Sequence, residues 1–162
     1  MDLERAQSIA NFVLERLKPY CSRIEVVGSV RRKKPTVNDI DFILIPSDPW
    51  NLEHEIMGLR MAGQSQTAPL ADGAKLKRFT HNGVQIDLYF AEEKNWATLL
   101  LIRTGSTESN IRLTSLAKKK GWKLHASGTG LFNEKGERIA GDTEESIFKA
   151  LGLEYLPPEK RS

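Results

Sequence analysis

Ile24-Glu25-Val26-Val27-Gly28-Ser29-Val30-Arg31-Arg32-Lys33-Lys34-Pro35-Thr36-Val37-Asn38-Asp39-Ile40-Asp41-Phe42-Ile43-Leu44-Ile45 contains two short apolar runs separated by a basic loop. Ile24 to Val27 reads as a buried strand that ends at Gly28-Ser29, and Asp39 to Ile45 as a second strand with a charged beginning. Side chains alternate along a strand, so Asp39 and Asp41 point to one face while Ile40 and Phe42 enter the other. Two carboxylates about 7 Å apart along such a face repel each other. Divalent cations between them relieve that repulsion, and hard oxygen donors suit Mg²⁺ or Mn²⁺. For an isolated Asp-x-Asp, a solvated strand start is the ordinary explanation. Gly28-Ser29 offers backbone amides and a hydroxyl to a phosphate, and the guanidinium groups of Arg31 and Arg32 match phosphate oxygens.

Working outward, Lys75 to Thr80 and Val84 to Phe90 alternate in polarity and flank His81-Asn82-Gly83, which predicts a hairpin. Asp87 lies within its second strand, opposite in facing to Ile86 and Leu88. If that strand lies beside the Asp39 strand, the third carboxylate joins the pair, and three carboxylates can hold two cations roughly 3.5–4 Å apart. An exposed sheet edge is the alternative for Asp87 alone. The ordered combination of strand, Gly-Ser, paired arginines, Asp-x-Asp strand and later Asp is what points to chemistry.

Before these strands, Asp2 caps a predicted helix to about Lys18 with a stripe of Leu3, Ala6, Ile9, Val13 and Leu17. Pro46 to Asn51 reads as turn-rich, Leu52 to Met61 as a modest helix and Gly63 to Gly73 as a polar, mobile segment. Beyond Trp96 a helix is expected to break at Thr104-Gly105-Ser106 and resume from about Glu108 to Lys120, with Gly121 as its cap. Trp122 to His125 and Leu131-Phe132 read as strands, Thr143 to Leu151 as a capped helix, and Leu156-Pro157-Pro158 as a non-helical tail. The fold class expected is α+β: a mixed sheet with flanking helices over residues 1–93, then a helical and antiparallel-sheet part over 94–162.

The chain has 162 residues, 40% of them apolar, enough for one domain or two small packed parts. No apolar run approaches the roughly 20 residues that cross a bilayer. Cys21 is the single cysteine, which excludes an internal disulfide and a Cys-rich zinc site. A soluble protein of a reducing compartment, cytoplasmic or nucleoid-associated, is expected. The net charge of +3 says little. The distribution says more: Arg31 to Lys34, Lys75-Lys77-Arg78 and Lys118-Lys119-Lys120 with Lys123 are clusters that suit phosphates. His54, His81 and His125 lack metal-ligand spacing, and His81 is explained by its turn. Trp96 and Trp122 each begin an apolar segment and read as core.

Gly28-Ser29-Val30-Arg31-Arg32, Asp39-Ile40-Asp41 and Ile86-Asp87 together resemble the palm of the family X DNA polymerases, within the polymerase-beta-like nucleotidyltransferases. Thr104-Gly105-Ser106, Asn110, Ala117-Lys118-Lys119-Lys120-Gly121, Gly130-Leu131-Phe132, Thr143 to Phe148 and Leu151-Gly152-Leu153 resemble that family's dNTP-binding subdomain, and Tyr155 to Arg161 its carboxyl end. The likeness spans nearly the whole chain. It implies a DNA-directed DNA polymerase that moves a nucleotide from a dNTP to a primer 3′-hydroxyl, with two Mg²⁺ ions for which Mn²⁺ can substitute. Asp39 and Asp41 would bind both metals, and Asp87 the catalytic one, beside the primer hydroxyl. Ser29 and Arg32 would hold the β,γ-phosphates, with Gly28 and Ser106 near them. Thr104-Gly105-Ser106 would lie by the sugar, and Asn110 would reach the minor-groove edge of the base.

The resemblance begins at the palm, so no amino-terminal lyase activity is expected. Grip on primer-template or gapped DNA would fall to Lys75, Lys77, Arg78 and Lys118 to Lys120, giving weak, salt-sensitive, distributive synthesis by a monomer. Ile102-Arg103 replaces the family's common aromatic pair before Thr-Gly, and Thr114 replaces a basic residue that touches the template. Loose ribose rejection and low fidelity follow as expectations. A small nucleotidyltransferase acting on RNA, protein or a small molecule is the alternative function; an inactive DNA-binding module is disfavoured because three clustered acids would repel phosphates without metal.

Overall fold

The computed structural model describes residues 1–62, 71–125 and 128–161. It falls into two compact units, Met1–Ala91 and Glu92–Ser162.

In the first unit, helix α1 (Leu3–Leu17) starts where the Asp2 carboxylate accepts a hydrogen bond from the Arg5 amide at 2.8 Å, supplying a partner for an otherwise orphaned amide. Its buried stripe is Ala6, Ala10, Val13 and Leu17, with Leu3 and Ile9 partly buried beside it. Strand β1 (Cys21–Val27) is three residues longer at its start than its apolar run suggests. Antiparallel pairing with β2 (Ile40–Pro46) extends it through the half-buried Cys21 and the exposed Ser22 and Arg23. The turn expected at Gly28-Ser29 is a single helical turn, α2 (Gly28–Arg31).

Helix α3 (Pro49–Met61) begins inside the stretch expected to be turn-rich. Asp48 caps it by accepting from the Asn51 amide at 3.2 Å, and Pro49 occupies a first-turn site where its missing N–H costs nothing. A two-residue strand β3 (Ala71–Asp72) and the hairpin β4 (Leu76–His81) and β5 (Val84–Phe90) complete the sheet. Asn82 and Gly83 both have positive φ, the geometry that Asn-Gly turns favour. The expectation for Gly63 to Gly73 falls mostly on residues 63–70, outside the described residues.

The five strands lie in the order β1-β2-β5-β4-β3. Only β2 and β5 run parallel; the other neighbours are antiparallel. Ile40, Phe42 and Leu44 on β2 and Ile86 and Leu88 on β5 are completely buried against α1 and α3 residues such as Val13, Leu17, Leu52 and Leu59. Each large side chain removed from water contributes roughly 1.5–3 kcal/mol. Alternation then leaves Asp41 and Asp87 on the face turned away from those helices. His81 is also in the interior: its Nδ1 lies 2.7 Å from the Leu59 carbonyl and its ring stacks on Phe12. Packing, rather than the turn, accounts for that residue.

In the second unit, α4 (Trp96–Thr104) and α5 (Thr107–Lys119) are followed by the antiparallel strands β6 (Lys123–His125), β7 (Gly130–Phe132) and β8 (Arg138–Ala140), and by α6 (Glu144–Ala150). Strand β8 has no run long enough to announce it and forms by pairing with β7. Leu101, Leu113, Ala117, Leu131, Ile147 and Phe148 make this unit's own core. Leu156 and Pro157 are non-helical as expected, but Pro158 departs from that reading: Pro158–Lys160 form a 3-10 turn, with Pro158 at a first-turn position that needs no N–H.

Arg161 closes the tail and is buried. Its Nη1 donates to Glu144 Oε2 at 2.7 Å, its Nε donates to the Leu156 carbonyl at 2.8 Å, and its guanidinium lies 5.3 Å from the ring centres of both Phe148 and Tyr155. A charge taken from water needs such partners.

Candidate active site

Asp41 and Asp87 are paired in register across the parallel strands β2 and β5. Neighbouring residues in register share a sheet face, so the two carboxylates project together, and Asp39 enters from the residue just before β2. Each of the three offers an oxygen, and these oxygens all lie within 4.8 Å of one another. Asp87 is buried, Asp39 and Asp41 half-buried. Carboxylate oxygens converging at this spacing match the donor set that hard divalent cations require.

The strain of gathered negative charge is visible in the surroundings. Burial, and then the charge of Asp87, push the Asp39 carboxyl above the usual carboxylate range, while Arg78 and a backbone hydrogen bond oppose that rise. Arg78, opposite Asp87 on β4, donates from Nε to Oδ1 at 2.8 Å and from Nη2 to Oδ2 at 3.1 Å, a bidentate pair. Gln85 Nε2 lies 3.3 Å from Asp39 Oδ2 and 3.2 Å from Asp87 Oδ1, tying two members of the triad to one amide.

Gly28 has φ of +61°, a conformation that disfavours other residues. A Cβ there would also collide with Asp41 Oδ2. Glycine at this position therefore makes room for a carboxylate, a reason independent of any phosphate. Ser29, in α2, is half-buried. Burial lowers the affinity of Arg32 for its proton and the Asp41 charge opposes that, which sets the guanidinium in the electrostatic field of the triad. The first unit thus gathers Gly28, Arg32 and all three aspartates.

Thr104, Gly105, Ser106 and Asn110 belong to the second unit. Thr104 is buried at the end of α4, and Gly105 follows with φ of +64° and a cis peptide bond to Ser106. The Ser106 hydroxyl caps α5 by accepting from the Ser109 amide at 3.2 Å, and the Ser106 amide donates to the Arg161 carbonyl at 3.0 Å. Asn110 Nδ2 donates to the Ile102 carbonyl at 2.8 Å, which fixes the amide against α4. Thr114 bonds back to the Asn110 carbonyl at 2.9 Å and so turns its hydroxyl into the helix.

Lys118, Lys119 and Lys120 are exposed around the end of α5, Lys120 lying 5.5 Å from the Trp122 ring centre. Lys75 is exposed as well. Successive strand residues face opposite ways, and Lys77 pairs with Glu53 while Arg78 takes Asp87. Sequence reasoning gave Gln85 and Glu144 no role of their own. Gln85 sits two residues before Asp87 on the same strand face, a periodic signal that was available; Glu144 lies 17 residues before Arg161 and carries no local sign of its partner.

Comparison with known proteins bears on both units. A model of the "DNA polymerase beta thumb" family matches residues 99–162. The chain is 32% identical over 151 residues to the Repair DNA polymerase X of an African swine fever virus isolate, covering 90% of this chain and 84% of that protein. A second isolate's Repair DNA polymerase X is 30% identical over 176 residues, covering 99% of both. The chain belongs to the family X DNA polymerases. Its class of chemistry is therefore nucleotidyl transfer by a DNA-directed DNA polymerase. The fold of this family X polymerase is also that of Leishmania infantum polymerase beta, solved as a ternary complex: TM-score 0.81, 22% identity, covering all of this chain and 76% of the other. The Bacillus subtilis DNA polymerase/3′-5′ exonuclease PolX is 26% identical, but only 27% of its length is covered.

Proposed function

We propose that this family X polymerase extends a primer 3′-hydroxyl by one nucleotide from a dNTP on primer-template or gapped DNA, filling short gaps in repair. Asp39, Asp41 and Asp87 would hold two Mg²⁺ ions, with Mn²⁺ able to substitute. The single observation that carries this reading is the convergence of the three carboxylates beside Gly28 and Arg32. When bound, the divalent ions supply charge neutralisation for the triphosphate and a lowered proton affinity for the attacking hydroxyl.

The protein's own residues do the rest by position. Ser29 and Arg32 bind the β,γ-phosphates with a hydroxyl and a guanidinium, aligning the α-phosphate with the hydroxyl that attacks it. Asp87 orients that hydroxyl and stands ready as acceptor of its proton. Thr104, Gly105 and Ser106 set a glycine-opened stretch of backbone against the sugar, and Asn110 reads the base edge. Phosphoryl transfer needs little covalent help, so positioning and electrostatics are sufficient chemistry for a small protein. The polymerase acts as a monomer in a reducing compartment and holds DNA through Lys75 and Lys118 to Lys120. Its binding therefore weakens steeply between 50 and 200 mM salt, by roughly tenfold or more.

The decisive experiment is extension of a labelled primer, alone and across a one-nucleotide gap, with each dNTP or rNTP and with Mg²⁺ or Mn²⁺. Template-directed addition that Asp87→Ala abolishes is the expected result. Folded protein that adds nothing to any DNA would move the reading to a transferase with a non-DNA acceptor.

A further inference from the structure

Both oxygens of Asp87 carry hydrogen bonds before any metal arrives. A carboxylate accepts about four hydrogen bonds, two on each oxygen. Oδ1 receives Arg78 Nε at 2.8 Å and Oδ2 receives Arg78 Nη2 at 3.1 Å, while Gln85 Nε2, which also reaches Asp39, shares one N–H between Oδ1 at 3.2 Å and Oδ2 at 3.5 Å. The Asp87 side chain is 3% exposed, so water does not compete for it. A divalent ion that approaches either oxygen meets the Arg78 guanidinium already bonded to it.

Arg78 is the donor that can leave. Its side chain is 36% exposed, whereas Asp87 is enclosed. Tyr89 lies two residues beyond Asp87 on the same face of β5 and also acts on the Arg78 guanidinium, which gives that group a second partner along the strand. Gln85, by contrast, bridges Asp39 and Asp87, so that moving it would uncouple two members of the triad. A guanidinium is also a cation, so it does for the isolated triad what a metal would do: it compensates one of three gathered negative charges.

We propose that Arg78 is a resident counter-ion of Asp87 that one divalent cation must displace, so that it holds the triad together in the metal-free protein and weakens metal binding at the Asp87 position. The inference rests on the reading of the triad as the metal site. It assigns Arg78 to the active site and removes it from the DNA-facing clusters. It is a positioning residue, since it acts through Asp87.

The test is Mn²⁺ binding, read as loss of the free-ion electron paramagnetic resonance signal, on full-length protein without DNA or nucleotide. Arg78→Met should bind Mn²⁺ about tenfold more tightly, the order expected when a competing charge-assisted hydrogen bond is removed. Arg78→Lys, which keeps a charge but loses the fork, should fall between it and the unmodified protein. Melting in EDTA separates folding from binding: Arg78→Met should melt lower without metal and gain more from Mn²⁺ than the unmodified protein does. Unchanged or weaker Mn²⁺ binding by both folded variants overturns the proposal. Asp87→Asn and Asp41→Asn separate the two readings: if they weaken Mn²⁺ binding while Arg78→Met and Arg78→Lys leave it unchanged, the metal site stands and only the role of Arg78 fails. If no variant and no unmodified protein binds Mn²⁺, both fail.

Discussion

The backbone of Gly28 runs directly against the Asp41 carboxylate, close enough that a Cβ at position 28 would collide with Oδ2. The same residue has φ of +61°. Gly28→Ala therefore carries two separate costs, a displaced metal ligand and a strained backbone, the second worth about 1–3 kcal/mol. We expect a lower melting temperature, weaker Mn²⁺ binding and a large loss of primer extension. A variant with full Mn²⁺ affinity would show that Asp41 has another position available.

The pH dependence of the metal-free protein should carry the sign of Asp39. Its folded carboxyl binds protons more tightly than the ordinary 3.8 of an unfolded chain, chiefly because burial and Asp87 disfavour the charged form. The folded state then holds more protons across that interval, so stability falls as pH rises from the ordinary value through the raised one. Urea unfolding in EDTA should show this slope in the unmodified protein and lose it in Asp39→Asn. With Mn²⁺ present the dependence reverses, because a proton and the ion compete for the same oxygen.

Glu144 and Arg161 form a buried pair whose separation should be expensive. Removing one member leaves the other charged and unpaired, which typically costs about 3–5 kcal/mol. Arg161→Met or Glu144→Leu alone should destabilise strongly, whereas the double change Arg161→Met with Glu144→Leu should recover much of the loss. Chemical denaturation of the three variants supplies the cycle. Equal and additive losses would mean that Arg161 acts through its packing on Phe148 and Tyr155 alone.

Cys21 should be a poor nucleophile. Burial pushes its thiol up to about 11, so at pH 8 only about one thiol in a thousand is ionised, against roughly a quarter for a free cysteine. Reaction with a disulfide reagent should be slow in the native protein and fast after denaturation. Fast native reaction would show that β1 opens at its start.

Much of the first unit was legible from local pattern. The alternation of Ile40, Asp41 and Phe42 set which face each would take, the Asn82-Gly83 pair marked its hairpin, and Asp2 marked the start of α1. The signals that failed were ones in which a distant partner supplies the order. Strand β8 exists because β7 offers it a ladder, β1 is lengthened by β2, and Pro158 becomes the start of a helical turn in the segment that docks Arg161.

The amino-acid sequence alone determined the inventory of the site: three aspartates on strand positions of matching phase, a glycine before Ser29, and an arginine at 32. Those depend on periodicities of two residues and on backbone conformations that neighbours control. Tertiary structure alone decided which charges meet. The parallel register of β2 and β5 brought Asp87 level with Asp41, and the β4 register delivered Arg78, which looked in sequence like a phosphate ligand, to a carboxylate instead. Coulomb interaction depends on distance in space, and residues 41 and 87 or 144 and 161 become neighbours only when the chain between them folds.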